Sequence, residues 1–168
     1  CMDAREFNLI FSTLSAKLFR MAKSILKDND EARDSVQELQ LRLWEKRSVL
    51  SNADNKFTFT LRAMRNLCID TLRKKQFTET LNPEIELTGH NEVAQIDMKD
   101  MARYVTELID NLPELQRTII RMRDVEEMEI SEIAFIAGLT ENAVCVNLSR
   151  ARAKIRTQLL KEQQYYKK

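Results

Sequence analysis

Apolar residues in the N-terminal half of the chain recur every three or four positions, which is the period of an α-helix with one buried face. This pattern predicts helices over residues 4–27, 30–46 and 58–75. The acidic cluster that begins at Asp28 interrupts the first helix and can cap the second. Residues 48–58 are rich in Ser, Asn and Asp, and they predict a loop before the third helix.

The same period returns near Met101 and continues toward the C-terminal end of the chain. Pro113 is placed to open a helix that runs to about Asp124, because proline is favoured in the first helical turn. A short apolar helix, a turn at 137–139 and a long helix over 140–162 follow. No segment alternates apolar and polar residues as a strand does, and no internal repeat is present.

A segment with Pro83, Gly89 and many acids separates the two helical parts, and its weak periodicity is typical of a linker. We therefore predict an all-α protein of two small helical domains joined by a flexible linker. The domains would span residues 4–75 and 105–165, and the acidic linker would span residues 76–104.

Composition agrees with a helical fold, and the distribution of charge adds information about possible partners. Only two Gly and two Pro among 168 residues favour helices, and 43% hydrophobic residues suffice for a packed core. The net charge of +1 hides an uneven distribution. Residues 1–75 carry 15 Lys and Arg against 10 Asp and Glu, residues 76–110 carry 2 against 8, and residues 111–168 carry 10 against 8. Two basic parts around an acidic one indicate either an anionic partner or ordinary solvated helix faces.

The C-terminal pattern predicts a helix–turn–helix unit. Ser131 can cap its first helix, Gly138 permits the sharp turn and Thr140 can cap the long second helix. The first turns of such a second helix reach base edges in the major groove, where Asn142 could bind adenine and Val146 a thymine methyl. Basic residues further along suit phosphate contacts, namely Arg150, Arg152, Lys154 and Arg156. The alternative is a plain helical hairpin with a solvated basic face.

Two features of the N-terminal helices also suggest binding surfaces. Leu41 shares an outward face of the second helix with acidic and amide residues, as in a protein-docking patch, although a single surface leucine is also ordinary. Phe57 and Phe59 lie at the start of the third helix, which carries several Arg and Lys, and this combination suits an unpaired nucleic-acid strand. Aromatic residues at a helix start are, however, more often part of a core.

Residues with catalytic or metal-binding chemistry are sparse. The three cysteines lie far apart without a CxxC pair, so neither a disulfide framework nor a zinc site is predicted; Cys68 falls on a buried stripe and Cys145 on an exposed face. The one histidine, His90, has no catalytic partner at a recognisable spacing, so we expect no enzyme, no cofactor and no small-molecule substrate. No apolar run approaches the roughly 18 residues of a membrane span, and a cytoplasmic location with reduced thiols is expected.

Four segments resemble, in order, the successive signatures of bacterial RNA polymerase sigma factors of the extracytoplasmic-function type, within the sigma-70 superfamily. They are DEARDSVQELQLRLW, LRAMRNLCIDTLRKK, LPELQRTIIRMRDVEEMEISEIAFIAGL and VCVNLSRARAKIR. The resemblance covers about residues 5–75 and 105–160. It implies a factor that directs bacterial core RNA polymerase to specific promoters, assists strand opening and is held inactive by an anti-sigma factor.

The resemblance also implies a role for each exposed face. The second helix would dock on the polymerase through Asp34, Gln37, Glu38 and Leu41. The loop and the third helix would bind the melted minus-ten strand through Asn52, Asn55, Phe57, Arg62, Arg65 and Asn66. The recognition helix would bind the minus-thirty-five duplex through Thr140, Glu141, Asn142, Cys145, Val146, Ser149 and Arg150.

The chain departs from the family at a few positions. Cys145 and Asn147 stand where many members have a basic residue, and Phe59 stands where Trp is common. These departures leave the promoter sequence open. Two other interpretations are a stand-alone helix–turn–helix regulator, which would dimerise on a palindromic duplex, and a helical adaptor that binds only proteins.

Overall fold

The structure, a computed structural model, describes residues 1–81 and 98–167. Within these residues the chain forms eight α-helices and no β-strand, which confirms the all-α prediction. The helices are α1 (Ala4–Leu26), α2 (Asn29–Glu45), α3 (Arg47–Ser51), α4 (Lys56–Leu81), α5 (Met98–Asp110), α6 (Glu114–Ile120), α7 (Ile130–Ala137) and α8 (Glu141–Tyr166). The linker residues 82–97, with His90 among them, lie outside the described part of the chain.

Side-chain caps begin α2 and α8 where the sequence predicts them. The Asp28 carboxylate accepts a hydrogen bond from the backbone N–H of Glu31 at 2.8 Å. The Thr140 hydroxyl accepts one from the backbone N–H of Ala143 at 3.1 Å. Each bond satisfies a donor that has no partner inside its helix, so these residues fix the first turns of both helices.

The start of α7 differs from the prediction. The capping residue is Glu129 and not Ser131, because the helix already begins at Ile130 and Ser131 lies within its first turn. The Glu132 carboxylate accepts a hydrogen bond from the backbone N–H of Glu129 at 3.1 Å, in the manner of a capping box. The end of α7 agrees with the prediction, since Gly138 has a φ of +67° that suits glycine.

Helices also extend into segments that the sequence assigns to loop and linker. The short α3 overlaps the start of the loop predicted for residues 48–58. Helix α4 continues beyond its predicted end near residue 75, and α5 begins inside the predicted linker. Because α4 contains neither Gly nor Pro, nothing in its sequence stops the helix at the predicted end.

The helix that opens after Pro113 changes form halfway along. Helix α6 ends at Ile120, and Arg121–Val125 continue as a π-helical turn where the sequence predicts ordinary α-helix. The backbone N–H of Glu126 donates to the carbonyl oxygen of Arg121, five residues earlier, at 3.0 Å. This wider turn redirects the chain toward α7.

The two halves of the molecule share one continuous apolar core. Helix α4 packs on α7, and α1 packs on α6. Met21 and Leu61 from the N-terminal half line a cavity of about 30 Å³ together with Met122 and Met128 from the C-terminal half. We call this contact of α1 and α4 with α6, the π-helical turn and α7 the interdomain seam. The sequence does not predict it.

Candidate nucleic-acid interface

Helices α7 and α8 form a helix–turn–helix around the turn at Gly138. Val144, Leu148 and Ala151 lie on one side of α8 and are buried. Helix α7 packs against α8 and buries Ile133 and Ile136. This packing fixes the rotation of α8 about its axis, and therefore decides which side chains face away from the protein.

The outward face of α8 is open to a partner. All seven residues predicted to bind the minus-thirty-five duplex are exposed, namely Thr140, Glu141, Asn142, Cys145, Val146, Ser149 and Arg150. Acidic Glu141 lies in the first turn, where it complements the positive end of the helix dipole. The face has the placement that a recognition helix needs, while its contacts with bases stay predictions.

Two of the four basic residues predicted to contact phosphate are engaged within the protein. Arg152 donates to both Asp124 carboxylate oxygens, at 2.5 and 3.2 Å, and these hydrogen bonds raise its pKa. Lys154 donates to the side-chain oxygen of Gln116 at 3.1 Å. Both residues thus brace α8 against the π-helical turn and α6. Arg150 and Arg156 are exposed and better placed for phosphate contacts.

The predicted strand-binding residues before and within α4 are placed unequally. Asn52, Phe57 and Asn66 are exposed. The Asn55 side-chain oxygen accepts hydrogen bonds from the backbone N–H groups of Phe57 and Thr58, at 3.0 and 3.1 Å, so Asn55 caps the first turn of α4. Phe59 packs against the core, as the alternative interpretation of the aromatic residues expects.

Arg62 and Arg65 face the C-terminal half rather than solvent. The guanidinium carbon of Arg62 lies 4.8 Å from the centroid of the Phe135 ring on α7. Arg65 Nη2 lies 3.3 Å from a carboxylate oxygen of Glu114 at the start of α6, and the Arg65 side chain is 14% exposed. The structure therefore brings two predicted strand-binding residues into the interdomain seam.

The outward face of α2 is exposed as the sequence predicts. Asp34, Gln37, Glu38 and Leu41 all face solvent, and Leu41 is 68% exposed. Glu38 forms an ion pair with Arg42 one turn later. The opposite side of α2 buries Leu39 and Leu43 against the core. An exposed leucine among acidic and amide groups is a surface suited to a protein partner.

The cysteines differ as predicted in their access to solvent. Cys68 is buried in the core, and Cys145 is exposed on the outward face of α8. Burial and, to a smaller extent, the charge of Glu114 together raise the pKa of the Cys68 thiol to about 12. The thiol is therefore unreactive at neutral pH.

Sequence reasoning missed the residues that cross the seam. Glu114, Glu126 and Phe135 each contact an arginine of the N-terminal half. Their contacts join positions 49 to 106 residues apart, so no local pattern reveals them. One available signal was charge, because residues 112–139 carry 6 Asp and Glu against 3 Lys and Arg and face a basic N-terminal half.

Other kinds of site find no support in the described residues. Among residues 1–81 and 98–167, no group of three or more His, Cys, Asp or Glu is arranged to hold a metal ion. No helix in these two ranges combines the length and apolar character required to cross a bilayer.

Comparisons with known proteins match both halves of the chain. Residues 10–78 match the family model of sigma-70 region 2, and residues 102–155 match that of sigma-70 region 4. The chain is 30% identical over 145 residues to RNA polymerase sigma factor SigV of Bacillus subtilis, covering 86% of this chain and 85% of SigV. It is 25% identical over 170 residues to the extracytoplasmic-function sigma factor SigW of the same organism, covering 94% and 90% of the two chains.

Two solved structures share the fold. The sigma factor RpoE from Bartonella quintana, crystallised with the anti-sigma factor NepR, superposes with a TM-score of 0.75 at 19% identity, over 93% of this chain and 98% of that one. CnrH in complex with the cytosolic domain of CnrY superposes with a TM-score of 0.66 at 21% identity, over 94% and 89%.

Proposed function

Because the chain belongs to the sigma-70 family of RNA polymerase sigma factors, we propose that its two halves bind two separate elements of one promoter. It is a sigma factor of the extracytoplasmic-function type, which directs RNA polymerase to specific promoters in transcription initiation. The observation that carries the proposal is the exposed outward face of α8 within a helix–turn–helix, in a chain that also holds region 2.

Helix α8 would bind the minus-thirty-five duplex. Asn142 and Val146 occupy the first two turns, where side chains reach base edges. Arg150 follows one turn later and would bind phosphate. Cys145 stands where many family members have a basic residue. DNA binding by this face would therefore depend less on phosphate contacts and more on base contacts.

The start of α4 and the loop before it would bind the melted minus-ten strand. Phe57 offers an exposed ring on which a base can stack. Asn52 and Asn66 offer amide groups for hydrogen bonds with base edges. Arg62 and Arg65 would pair with phosphates once they are released from the seam. Asn55 supports this surface by capping α4.

The outward face of α2 would dock on the polymerase. Its exposed leucine would bury apolar surface, while the neighbouring acidic and amide groups would pair with the partner's polar groups. Docking has a second role, because two small domains that bind DNA weakly gain affinity when one partner holds both at the correct separation. Removing a base from the stack costs a few kcal/mol of free energy. Binding of the unpaired bases by the protein would offset this cost.

We further propose that the chain acts without catalysis of its own, in the cytoplasm, where the polymerase works. An anti-sigma factor is a fitting partner, since the RpoE and CnrH structures were both solved with a bound regulator or a regulator domain. No small-molecule substrate is needed for any of these roles.

Runoff transcription with bacterial core polymerase and a library of random promoters tests the proposal. We expect enrichment of a two-part promoter motif only when the polymerase and this protein are both present. Duplex that is bound and enriched without polymerase would instead support a stand-alone regulator. A chain that lacks residues 1–75 and still directs transcription would contradict the assigned role of the N-terminal half.

A further inference from the structure

We propose that the cavity in the interdomain seam is a binding site for one small monovalent anion, such as a halide ion or nitrate. The cavity lies between α1 and α4 on one side and α6, the π-helical turn and the segment before α7 on the other. The proposal goes beyond the function proposed above and does not depend on it, because none of the residues assigned to DNA or polymerase lines this cavity.

The size of the cavity limits what it can hold. One water molecule needs about 10–15 Å³ of such space, so the volume of about 30 Å³ accommodates about two waters or one small anion. A nucleotide or a lipid is too large. Much of the lining is apolar, namely Met21, Leu61, Met122, Val125 and Met128. A weakly hydrated ion therefore loses less than a strongly hydrated ion when it enters these surroundings.

Two buried polar groups of the lining lack a partner, and both can donate hydrogen bonds. Ser24 on α1 is 8% exposed, and its hydroxyl has no hydrogen-bond partner among the described residues. The Nε of Arg121, in the π-helical turn, is also buried, and nothing in the described part of the chain accepts from it. A guanidinium N–H can only donate. Two donors from opposite sides of the seam fit a ligand that accepts from both, as an anion does.

The carboxylate and the second hydroxyl of the lining do not serve these donors. Both carboxylate oxygens of Glu126 accept hydrogen bonds from Arg20, at 2.6 and 2.9 Å. The Thr118 hydroxyl donates to the Glu114 carboxylate at 3.0 Å. The only carboxylate that lines the cavity is thus already neutralised by an arginine, and an outside ligand is needed to satisfy the two donors.

The charges around the cavity include one positive charge that is not balanced. Arg20 pairs with Glu126, and Arg121 pairs with Asp110 on α5 at 2.5 Å. Lys17 on α1 also lines the cavity, is half-buried and forms no ion pair with any residue that the structure describes. One monovalent anion would balance the Lys17 ammonium group while it accepts hydrogen bonds from the two donors.

A bound anion would connect elements that are distant in sequence, since its partners lie on α1 and on the π-helical turn. It would stabilise the folded chain, because the unfolded chain does not bring these partners together. Screening by salt has the opposite effect, since it weakens the exposed ion pairs around the cavity. The two effects of a salt therefore differ in sign, and only the first depends on which anion is present.

The linewidth of the chloride NMR signal measures binding to the full chain. Chloride that exchanges with a protein site gives a broader signal, and we expect added nitrate to remove this excess width by displacing chloride. Fluoride should displace chloride poorly, because it is strongly hydrated and the lining is largely apolar. Absence of excess width, or excess width that nitrate does not remove, would overturn the proposal.

A double variant tests whether the broadening comes from this cavity. Ser24→Ala with Lys17→Gln removes one donor and the unbalanced charge, and it should bind chloride at least roughly tenfold more weakly. The matched control is Ser15→Ala with Lys23→Gln, which removes the same groups from exposed positions of α1 outside the cavity. The control should bind as the unsubstituted chain does, and so should Lys17→Arg, which keeps the charge. Equal loss in the control would contradict the site.

Urea denaturation at constant ionic strength links binding to stability. Sodium fluoride is replaced stepwise by sodium nitrate, and the double variant reports the general effect of the salt. Relative to that variant, the folded-to-unfolded ratio of the unsubstituted chain should rise about tenfold when nitrate reaches about nine times its Kd. The gain should level off in denaturation midpoint as log concentration predicts. Identical responses of the two chains would mean a general salt effect and would refute the proposal.

Discussion

The two candidate DNA-binding faces of this molecule stand in opposite states. The outward face of α8 is exposed along its length, whereas two arginines of the α4 face are held by the other half of the chain. The packing of α7 on α8 is sufficient to turn the proposed duplex-binding face toward solvent. On the proposed strand-binding surface, Arg62 and Arg65 already contact Phe135 and Glu114 of the C-terminal half. Two helices with similar basic side chains therefore differ in whether another part of the chain already contacts those side chains.

The largest expected effect comes from breaking the support of the duplex-reading face. Ile133 is fully buried in α7, which contacts both α8 and α4. Ile133→Ala should lower the free energy of unfolding by about 2–5 kcal/mol, because it leaves a cavity in the shared core. Urea denaturation measures this loss. Leu160→Ala, at an exposed position of α8, should change stability little, and equal losses in both variants would contradict the assigned packing.

The next effect separates support from contact on the strand-binding face. Asn55→Ala should cost about 1 kcal/mol of stability, because the first turn of α4 loses its cap. Asn55→Asp should keep the cap and the stability but repel a strand through its added charge. Urea denaturation measures the stability, and binding of single-stranded DNA by the polymerase-bound chain measures the effect of the added charge. If Asn55→Asp left strand binding unchanged, Asn55 would act only as a cap.

A smaller effect is expected from single charges on α8. Arg150→Ala should weaken duplex binding by the polymerase-bound chain and reduce the slope of log affinity against log salt by about 0.9, the share of one phosphate contact. Arg152→Ala should alter that slope less, because Asp124 already holds Arg152. Binding to the selected promoter across a salt series gives both slopes. Equal slopes for the two variants would contradict the distinction.

The smallest effect concerns reactivity alone. A thiol reagent used near pH 9 should modify Cys1 and Cys145 but spare Cys68, since burial holds the pKa of Cys68 at about 12 and keeps the thiol protonated. Unfolding should restore its ordinary pKa and expose a third reactive thiol. Mass spectrometry of native and denatured samples counts the modified sites. Three modified thiols in the native chain would contradict the burial of Cys68.

Much of this architecture follows from local pattern. Asp28, Gly138 and Thr140 act where side-chain chemistry predicts a cap or a turn, because each acts on neighbours three or four residues away. The outward faces of α2 and α8 were predictable for the same reason. Helical period fixes a face once its buried stripe is known.

The rest depends on partners that are distant in sequence. The π-helical turn and the five-residue α3 leave no distinct period, so the pattern predicts neither. The pairing of Arg65 with Glu114 joins residues that only the folded chain brings together. Exposure of the predicted strand-binding arginines therefore could not be deduced from the helix that carries them.

The methionines of the seam show how side chains from both halves fill the space between them. Met21, Met122 and Met128 line the small cavity between the halves, beside Leu61. Met21 belongs to α1, Met122 to the π-helical turn and Met128 to the segment before α7, so elements distant in sequence share this lining. The unbranched, polarizable thioether can refill an irregular gap in many rotamers, which a branched side chain cannot do. Such a lining can fill the space between the halves without requiring one unique fit.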